Sequence, residues 1–361
     1  MGRALTESGE LAEGERVLRE AIHALEASGG APADVTAVMS ALGRNLALDF
    51  RYAEAIELQR EILDRRIDQA GPDSGEVVRA LNNLGQSHLE MDQYAAAESL
   101  LTRAADGAHA LGPDALAERI AIESNLASLL ASRGDFPKAA VLAESVLVRR
   151  RALVGEDDLA VAQDLHNLAV FSRRTGDAAR AEGLYRESLA IKRERLPSPA
   201  ETIARSLDNL AIAISVQGRY EEAERIFLEA LEMRRAMYGD DHRQVAASLS
   251  NIVPLMSRTN RTAEGLDYAT RAVDILRRAP DTPPSRLAWA LRNQGSLFLD
   301  LDRLEDAERA TRESLAILVE VHGETSSEAS RLRGNLAAVL LARGQAEEAE
   351  ALRRDAIASQ S

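Results

Sequence analysis

The stretch NLAIAISVQGRYEEA, residues 209–223, contains a frame that recurs along the chain. In this frame Leu210-Ala211 follows Asn209, and a small residue, Ala223, lies 14 residues after the asparagine. The asparagine recurs every 42 residues, as Asn83, Asn125, Asn167, Asn209, Asn251, Asn293 and Asn335. The small residue recurs at the same interval, as Ala97, Ala139, Ala181, Ala223, Gly265, Ala307 and Ala349. A fixed period of this length is typical of a repeat protein.

The unbroken period determines the predicted domain organisation. We predict a single array over residues 1–361, because no stretch of the chain has the composition of a linker. The array has a partial repeat at about residues 1–30 and eight full repeats at about residues 31–358. Neither end has a polar capping helix, and repeat arrays usually need one. Two explanations remain open: the chain is one part of a larger polypeptide, or it covers its ends by self-association.

The composition narrows the class of protein. The apolar fraction of 45% contains only 3% aromatic residues, which suits closely packed helices and predicts an all-α chain. A net charge of −14 argues against binding to nucleic acid or to an anionic membrane, since both require clustered cations. No stretch has the length and apolarity of a signal peptide or a membrane span, so we expect a soluble, cytoplasmic protein.

Within each unit, apolar residues recur at helical spacing on either side of a short turn, as at Leu126 and Leu142 around residues 132–135. This pattern predicts two antiparallel helices per unit. The first helix is expected to end in a left-handed residue, for which glycine, asparagine and aspartate are the tolerant types. The residues at this place are Asp92, Gly134, Gly176, Gly218, Asn260, Asp302 and Gly344.

The signatures Leu84-Gly85, Gly218-Arg219-Tyr220 and Ala223 resemble those of the tetratricopeptide repeat, whose usual unit has 34 residues. The segment at residues 238–246, which leads into Asn251, is similar to the 42-residue repeats of kinesin light chain and its bacterial relatives. The resemblance implies an α-solenoid, a right-handed superhelix whose first helices line a concave groove. A role as motor adaptor does not carry over, because the chain has no heptad coiled-coil segment.

The asparagines form the candidate binding site. On a first helix, each shares a face with the residues four before, three after and seven after it. A side-chain amide both donates and accepts, so a row of amides can satisfy the backbone of an extended peptide. The resemblance to kinesin light chain implies the same role. A single asparagine could equally bond to the adjacent helix and stabilise the stack; for the whole row, with its polar neighbours, we favour a protein or peptide ligand.

The same face is rich in arginine, which predicts an acidic ligand, because guanidinium groups bind carboxylates and phosphates through two contacts. Only Glu90 and Asp300 oppose these cations on that face. The alternative is that several of the arginines pair with acids on the neighbouring helix. The arginines are Arg44, Arg79, Arg174, Arg205, Arg258 and Arg331.

One unit departs from the pattern. Pro254 lies inside the first helix of the sixth repeat, where it removes the hydrogen bond to the carbonyl of Ser250 and is expected to kink the helix. Together with Gly265 and the prolines that follow, it predicts a bend between residues 250 and 290. Trp289 projects toward the predicted groove, so a hinge or a specificity pocket is one explanation; a degenerate repeat is the other.

The sequence has no catalytic or cofactor-binding motif. The histidines form no pair with the spacing of a metal site, cysteine is absent, and no phosphate-binding glycine loop or nucleophile elbow occurs. We therefore predict a non-catalytic adaptor or sensor, without metal or cofactor, that binds a peptide or protein segment in its groove. The alternatives are a regulatory or oligomerising arm of a bacterial signalling kinase or ATPase, and a small-molecule sensor, which would require a closed pocket.

Overall fold

The computed structural model describes residues 2, 6, 11–49, 51–279, 282–324 and 326–358. All regular secondary structure formed by these residues is helical, which confirms the predicted all-α fold class. Most of residues 1–10, at the start of the predicted partial repeat, and residues 280–281, within the predicted bend, lie outside the described residues.

The α-helices are numbered here in chain order. They are α1 (Leu11–Ala27), α2 (Pro32–Leu48), α3 (Tyr52–Ala70), α4 (Gly75–Glu90), α5 (Tyr94–Ala110), α6 (Leu116–Ser132), α7 (Phe136–Val154), α8 (Leu159–Arg174), α9 (Ala178–Arg195), α10 (Glu201–Val216), α11 (Tyr220–Tyr238), α12 (Arg243–Arg258), α13 (Thr262–Arg278), α14 (Pro284–Asp300), α15 (Leu304–His322), α16 (Ser327–Ala342) and α17 (Ala346–Ala358). A short 3-10 helix, Gly112–Ala115, precedes α6. From α2 onward, each even-numbered helix is the first helix of a pair and the next odd-numbered helix is the second.

The chain folds into two compact units, Met1–Ala213 (unit 1) and Ile214–Ser361 (unit 2). The division falls inside α10, so it follows no linker. The single array with its eight full repeats and its bend stays a prediction.

The turns within the helix pairs have the predicted backbone conformation. Gly134 has φ 85° and Gly218 has φ 82°, in the left-handed region. Where other units lack the glycine, Asp92, Asn260 and Asp302 take φ values of 56°, 60° and 58°. This confirms that the first helix of each of these pairs ends in a left-handed residue, which reverses the chain into the second helix.

The core of each unit lies between helices, and the small residues set its spacing. In unit 1, Leu165 of α8 belongs to the same apolar cluster as Ala139 and Ala143 of α7. A Cβ added to Gly85 of α4 would lie 2.9 Å from the Leu101 side chain of α5, closer than real Cβ contacts allow. The paired helices α4 and α5 therefore approach closely where Gly85 lies.

Ion pairs join successive repeats along the surface. Arg133 binds Glu98 at 2.6 Å in unit 1, and Arg277 binds Glu313 at 2.7 Å in unit 2. Such exposed pairs contribute about 0–1 kcal/mol each. No described helix combines the length and the apolarity needed to span a membrane.

Candidate functional site

A concave cavity of about 660 Å³ lies in unit 1. Its walls come from the first helices α4, α6, α8 and α10, with Arg150 from the end of α7. Three of the predicted asparagines, Asn83, Asn125 and Asn167, and one predicted arginine, Arg205, are among its lining residues. Other residues of the predicted face that line it are Gln86, Glu90, Ala121, Ser128, Ser132, Gln163 and Val170. The structure thus brings one side of successive first helices together around a common space.

Hydrogen bonds within the protein already occupy some of the donor and acceptor atoms of these amides. The Nδ2 of Asn125 donates to the Oδ1 of Asn82, 2.9 Å away on α4. The Oδ1 of Asn167 accepts from the Nε2 of Gln163 at 2.8 Å, within α8. Asn83 is exposed, and among the described residues its side chain has no hydrogen-bond partner. Asn125 therefore bonds to the adjacent helix, as the alternative to ligand binding anticipated. The side chain of Asn83 and the Nδ2 of Asn167 can still form hydrogen bonds with a ligand.

The remaining asparagines do not line this cavity. The Nδ2 of Asn209 donates to the backbone carbonyl of Arg205 at 3.1 Å, one turn earlier in α10. In unit 2, Asn251 is half-buried and Asn335 is exposed, and the Nδ2 of Asn293 donates to the backbone carbonyl of Ser250 at 3.4 Å. The seven asparagines thus share a repeat position but differ in their local bonding.

The predicted arginines have three kinds of environment. Arg79 is paired with Glu118 on α6 at 2.8 Å, as the alternative of neighbouring-helix pairing anticipated. Arg174 lies over the ring of Phe136, 5.4 Å from its centroid. The others are exposed and, as far as the described residues show, form no ion pair: Arg44, Arg205, Arg258 and Arg331. Of the six, Arg205 alone lines the unit 1 cavity.

Glu90 and Arg205 give the cavity one unpaired charge of each sign. Part of the Glu90 side chain is exposed to solvent, yet desolvation by the surrounding protein raises the pKa of its carboxyl. The positive charge of Arg205 opposes this rise, and the negative charge of Asp92 adds to it. Arg150 also lines the cavity, but its charge is balanced by Asp164. The cavity is therefore close to neutral, and the strongly cationic face expected from the sequence does not form there.

A buried ion pair at the wall of the cavity was missed by the sequence analysis. The Nε of Arg150 lies 2.8 Å from the Oδ2 of Asp164, which is 3% exposed. The Oγ of Ser124 donates to the other carboxylate oxygen at 3.0 Å. All three residues line the cavity. They hold α6, α7 and α8 together where the predicted asparagines project.

One repeat later, a lysine takes the place of this arginine. The Nζ of Lys192 donates to the Oγ of Ser206 at 2.8 Å, and Ser206 lies 3.3 Å from the Nδ1 of His166. Burial, with a contribution from Arg205, lowers the pKa of Lys192 to about 7. Burial likewise holds the pKa of His166 well below its usual value, with smaller contributions from Lys192 and Arg205. His166 packs edge-on against Tyr185, with 5.3 Å between the ring centroids.

A signal for these pairs exists in the sequence. Arg150 and Lys192 are 42 residues apart, and each partner, Asp164 or Ser206, follows 14 residues later. The same spacing links Arg234 and Ser248 in unit 2. A search for polar residues recurring at buried helical positions would have found them.

The sequence matches the profile of the tetratricopeptide repeat over residues 34–108, 118–194, 202–278 and 286–360, which together make up most of the chain. The chain belongs to the tetratricopeptide repeat family. The match confirms the resemblance drawn from the sequence and the predicted solenoid class. Proteins of this family are interaction scaffolds, and this general role holds for the chain. A comparison with curated protein sequences finds no match.

Solved tetratricopeptide-like structures share the fold at low sequence identity. BtubC (BKLC) from P. vanneervenii is 22% identical, with a TM-score of 0.54 over 62% of this chain and 91% of that one. The apo quorum sensor NprR from B. thuringiensis is 11% identical, with a TM-score of 0.57 over 90% and 98%. A Rap protein complexed with competence and sporulation factor is 12% identical, with a TM-score of 0.65 over 91% and 98%. Identities this low establish the fold alone.

The side chains that line the cavity are mainly hydrogen-bonding groups. No group of three or more histidine, aspartate or glutamate side chains in the described ranges is placed to hold a metal ion. The cavity offers amides, hydroxyls and one unpaired charge of each sign. These groups recognise polar backbone atoms and charged side chains.

Proposed function

We propose that the unit 1 cavity binds the main chain of an extended peptide or protein segment, and that the protein works as a non-catalytic adaptor or sensor in the cytoplasm. The observation that carries this proposal is that Asn83, Asn125 and Asn167, from three successive repeats, line one open concave space. Amides repeated at a regular spacing suit a ligand that is itself regular, and a peptide backbone presents N–H and C=O groups in alternation.

The dimensions support a ligand several residues long. Adjacent packed helices lie about 8–10 Å apart, and an extended chain rises about 3.3 Å per residue, so each repeat spans roughly three ligand residues. The cavity volume of about 660 Å³ is within the range of about 300–1,000 Å³ typical of ligand sites. A segment that crosses the three asparagine-bearing helices would therefore have its central residues inside the cavity and its ends in solvent.

The ligand is expected to be acidic, but fewer arginines are available to bind it than the sequence indicated. Arg205 supplies the unpaired cation of the cavity, whereas Arg79 is already neutralised by Glu118. Glu90 would repel a second ligand carboxylate on its side of the cavity. We therefore expect one acidic residue, placed beside Arg205, rather than a uniformly acidic segment.

The structural comparisons are compatible with this function. The Rap protein of similar fold was solved in complex with competence and sporulation factor, and NprR is a quorum sensor. A tetratricopeptide chain of this size can thus accommodate a separate signalling factor. The proposal for this protein rests on its own cavity and not on those identities of 11% and 12%.

A random-peptide display selection tests the proposal. The parent chain is compared with an Asn83→Ala, Asn167→Ala double variant, which removes the amides that retain capacity for a ligand. The control is a Ser99→Ala, Thr102→Ala double variant, which removes two exposed polar groups from α5, outside the cavity. All three proteins are first shown to have equal helicity by circular dichroism.

Peptides enriched by the parent and the control, but not by the asparagine variant, would support binding at the amides. Equal enrichment by all three proteins would place the ligand elsewhere and reject the proposed site. If no protein enriches any sequence, the extended-peptide mechanism is wrong, and a folded partner becomes the better hypothesis.

A further inference from the structure

The outer face of α7 carries an apolar stripe that the proposed function does not use. We define the α7 stripe as Val141, Ser145, Val148 and Ala152, all of which are exposed. Val141 and Val148 are 69% and 67% exposed, the highest values among the large hydrophobic residues described. Successive spacings of four, three and four residues align the stripe along one side of the helix, as in the seam of a coiled coil.

The other second helices are an internal comparison. At the same four repeat positions, α3, α5, α9, α11, α13 and α15 each carry at least two charged residues. The least charged are α5, with Arg103 and Asp106, and α9, with Glu187 and Glu194. Charged residues on this face keep a solvent-facing helix unpaired. Among the helices compared, α7 alone lacks them, which leaves an exposed stripe of the kind that marks interaction surfaces.

We propose that the α7 stripe pairs with the α7 stripe of a second copy of this chain, antiparallel about a twofold axis that passes between residues 146 and 147. In this arrangement Val141 faces Ala152 of the second copy, and Ser145 faces its Val148. Every layer then combines one valine with one small residue. A parallel arrangement would instead oppose valine to valine and serine to serine, which alternates crowded layers with underfilled ones.

The charges beside the stripe are self-complementary in the same orientation. Glu144 and Arg151 flank the stripe on one side, seven residues apart. Antiparallel pairing about the stated axis brings Glu144 of one copy beside Arg151 of the other, and the twofold symmetry forms this contact twice. Within the chain Glu144 binds Arg180, and Arg151 binds Glu156 and Glu187, so the contact would extend existing surface networks. A second copy therefore fits the stripe in both size and charge.

Cysteine cross-linking tests the orientation, and the chain contains no native cysteine to interfere. The variants are Val141→Cys, Ala152→Cys and the double variant, each oxidised under mild conditions. The two positions are 11 residues apart on one helix, about 16 Å, which is too far for a disulfide within the chain. Antiparallel pairing predicts a cross-linked dimer for the double variant and monomer for both single variants. A cross-linked single variant, or no cross-link in any of them, would overturn the proposal.

Sedimentation velocity tests the association itself. The parent is expected to form, with rising concentration, a species of twice the chain mass of 39.1 kDa. A Val141→Glu, Val148→Glu variant is expected to remain monomeric at the same concentrations. The control is an Ala236→Glu, Ala316→Glu variant, which adds the same charge at exposed positions of the matching stripes on α11 and α15. A parent that stays monomeric, or a stripe variant that associates like the control, would contradict the pairing.

Discussion

The side-chain amide of Asn293 takes the place of a missing helical hydrogen bond at Ser250. Pro254 has no backbone N–H, so the carbonyl of Ser250 lacks its usual partner four residues later in α12. The Nδ2 of Asn293, on α14, lies 3.4 Å from that carbonyl oxygen. The helix runs from Arg243 to Arg258 without a break, and Pro254 is exposed. In unit 2, therefore, the repeat asparagine compensates for a proline.

A double-mutant cycle should detect this compensation. Asn293→Ala is expected to lower the free energy of unfolding by about 1 kcal/mol, because it leaves the Ser250 carbonyl without a partner. In a Pro254→Ala background the restored N–H serves that carbonyl, so the same substitution should cost clearly less. Urea denaturation of the four proteins measures the coupling. Additive effects would show that Asn293 does not serve the carbonyl.

Arg205 should matter for an acidic ligand in a way that Arg79 does not. With an acidic peptide obtained by display selection, Arg205→Met is expected to weaken binding about tenfold, the loss of one charge-assisted contact. Arg79→Met is the matched control, because Arg79 has the same repeat position but is paired with Glu118 outside the cavity. Isothermal titration calorimetry gives both affinities. Equal losses of affinity in the two variants would show that Arg205 does not contact the ligand.

Lys192 should make stability depend on pH. Its pKa is about 7 in the folded chain, against an ordinary value of 10.5. Between these values the unfolded chain holds a proton that the folded chain has released, so stability rises with pH across this window. Lys192→Met should therefore stabilise the protein most below pH 7, with the advantage shrinking as the pH approaches 10.5.

Urea unfolding at several pH values measures this effect. The control is Lys138→Met, because Lys138 is exposed and paired with Asp135. An advantage of Lys192→Met that stays constant with pH would mean that the buried amine does not titrate in this window.

Removing one partner of the Arg150–Asp164 pair should lower the free energy of unfolding more than replacing both partners. Asp164→Ala is expected to lower the free energy of unfolding by about 3 kcal/mol, because it leaves a mostly buried guanidinium unpaired. The double variant Arg150→Met, Asp164→Ala should recover a large part of that loss, since no charge remains buried. Thermal and urea unfolding compare the two. A double variant less stable than Asp164→Ala would contradict this account.

The features that depend on backbone geometry could be predicted from the sequence. The 42-residue interval predicted helix pairs because each repeat must bury the same face, and Gly134 and Asn260 marked turns because few residues tolerate positive φ. The helical period also predicted that Asn83, Asn125 and Asn167 share one side of their helices. These inferences need only local chemistry and spacing.

The features that the sequence left open depend on which side chains meet across helices. Arg79 and Glu118, 39 residues apart in sequence, join two successive first helices, and nothing local distinguishes Arg79 from the unpaired Arg205. The Asn125–Asn82 bond likewise depends on the packing of α6 against α4. Spacing predicted that these residues lie on the inner side, but not which of them another helix occupies.

The buried pairs between consecutive repeats give successive junctions in unit 1 different chemistry. Arg150 meets a carboxylate at Asp164, whereas Lys192 meets a hydroxyl at Ser206. If the first helices were exchanged, a lysine with a lowered pKa would face an acid, and an arginine would lose its counter-ion. The repeats share one pattern, yet these two buried pairs would not form if the repeats changed places, so the repeats are not interchangeable at these junctions.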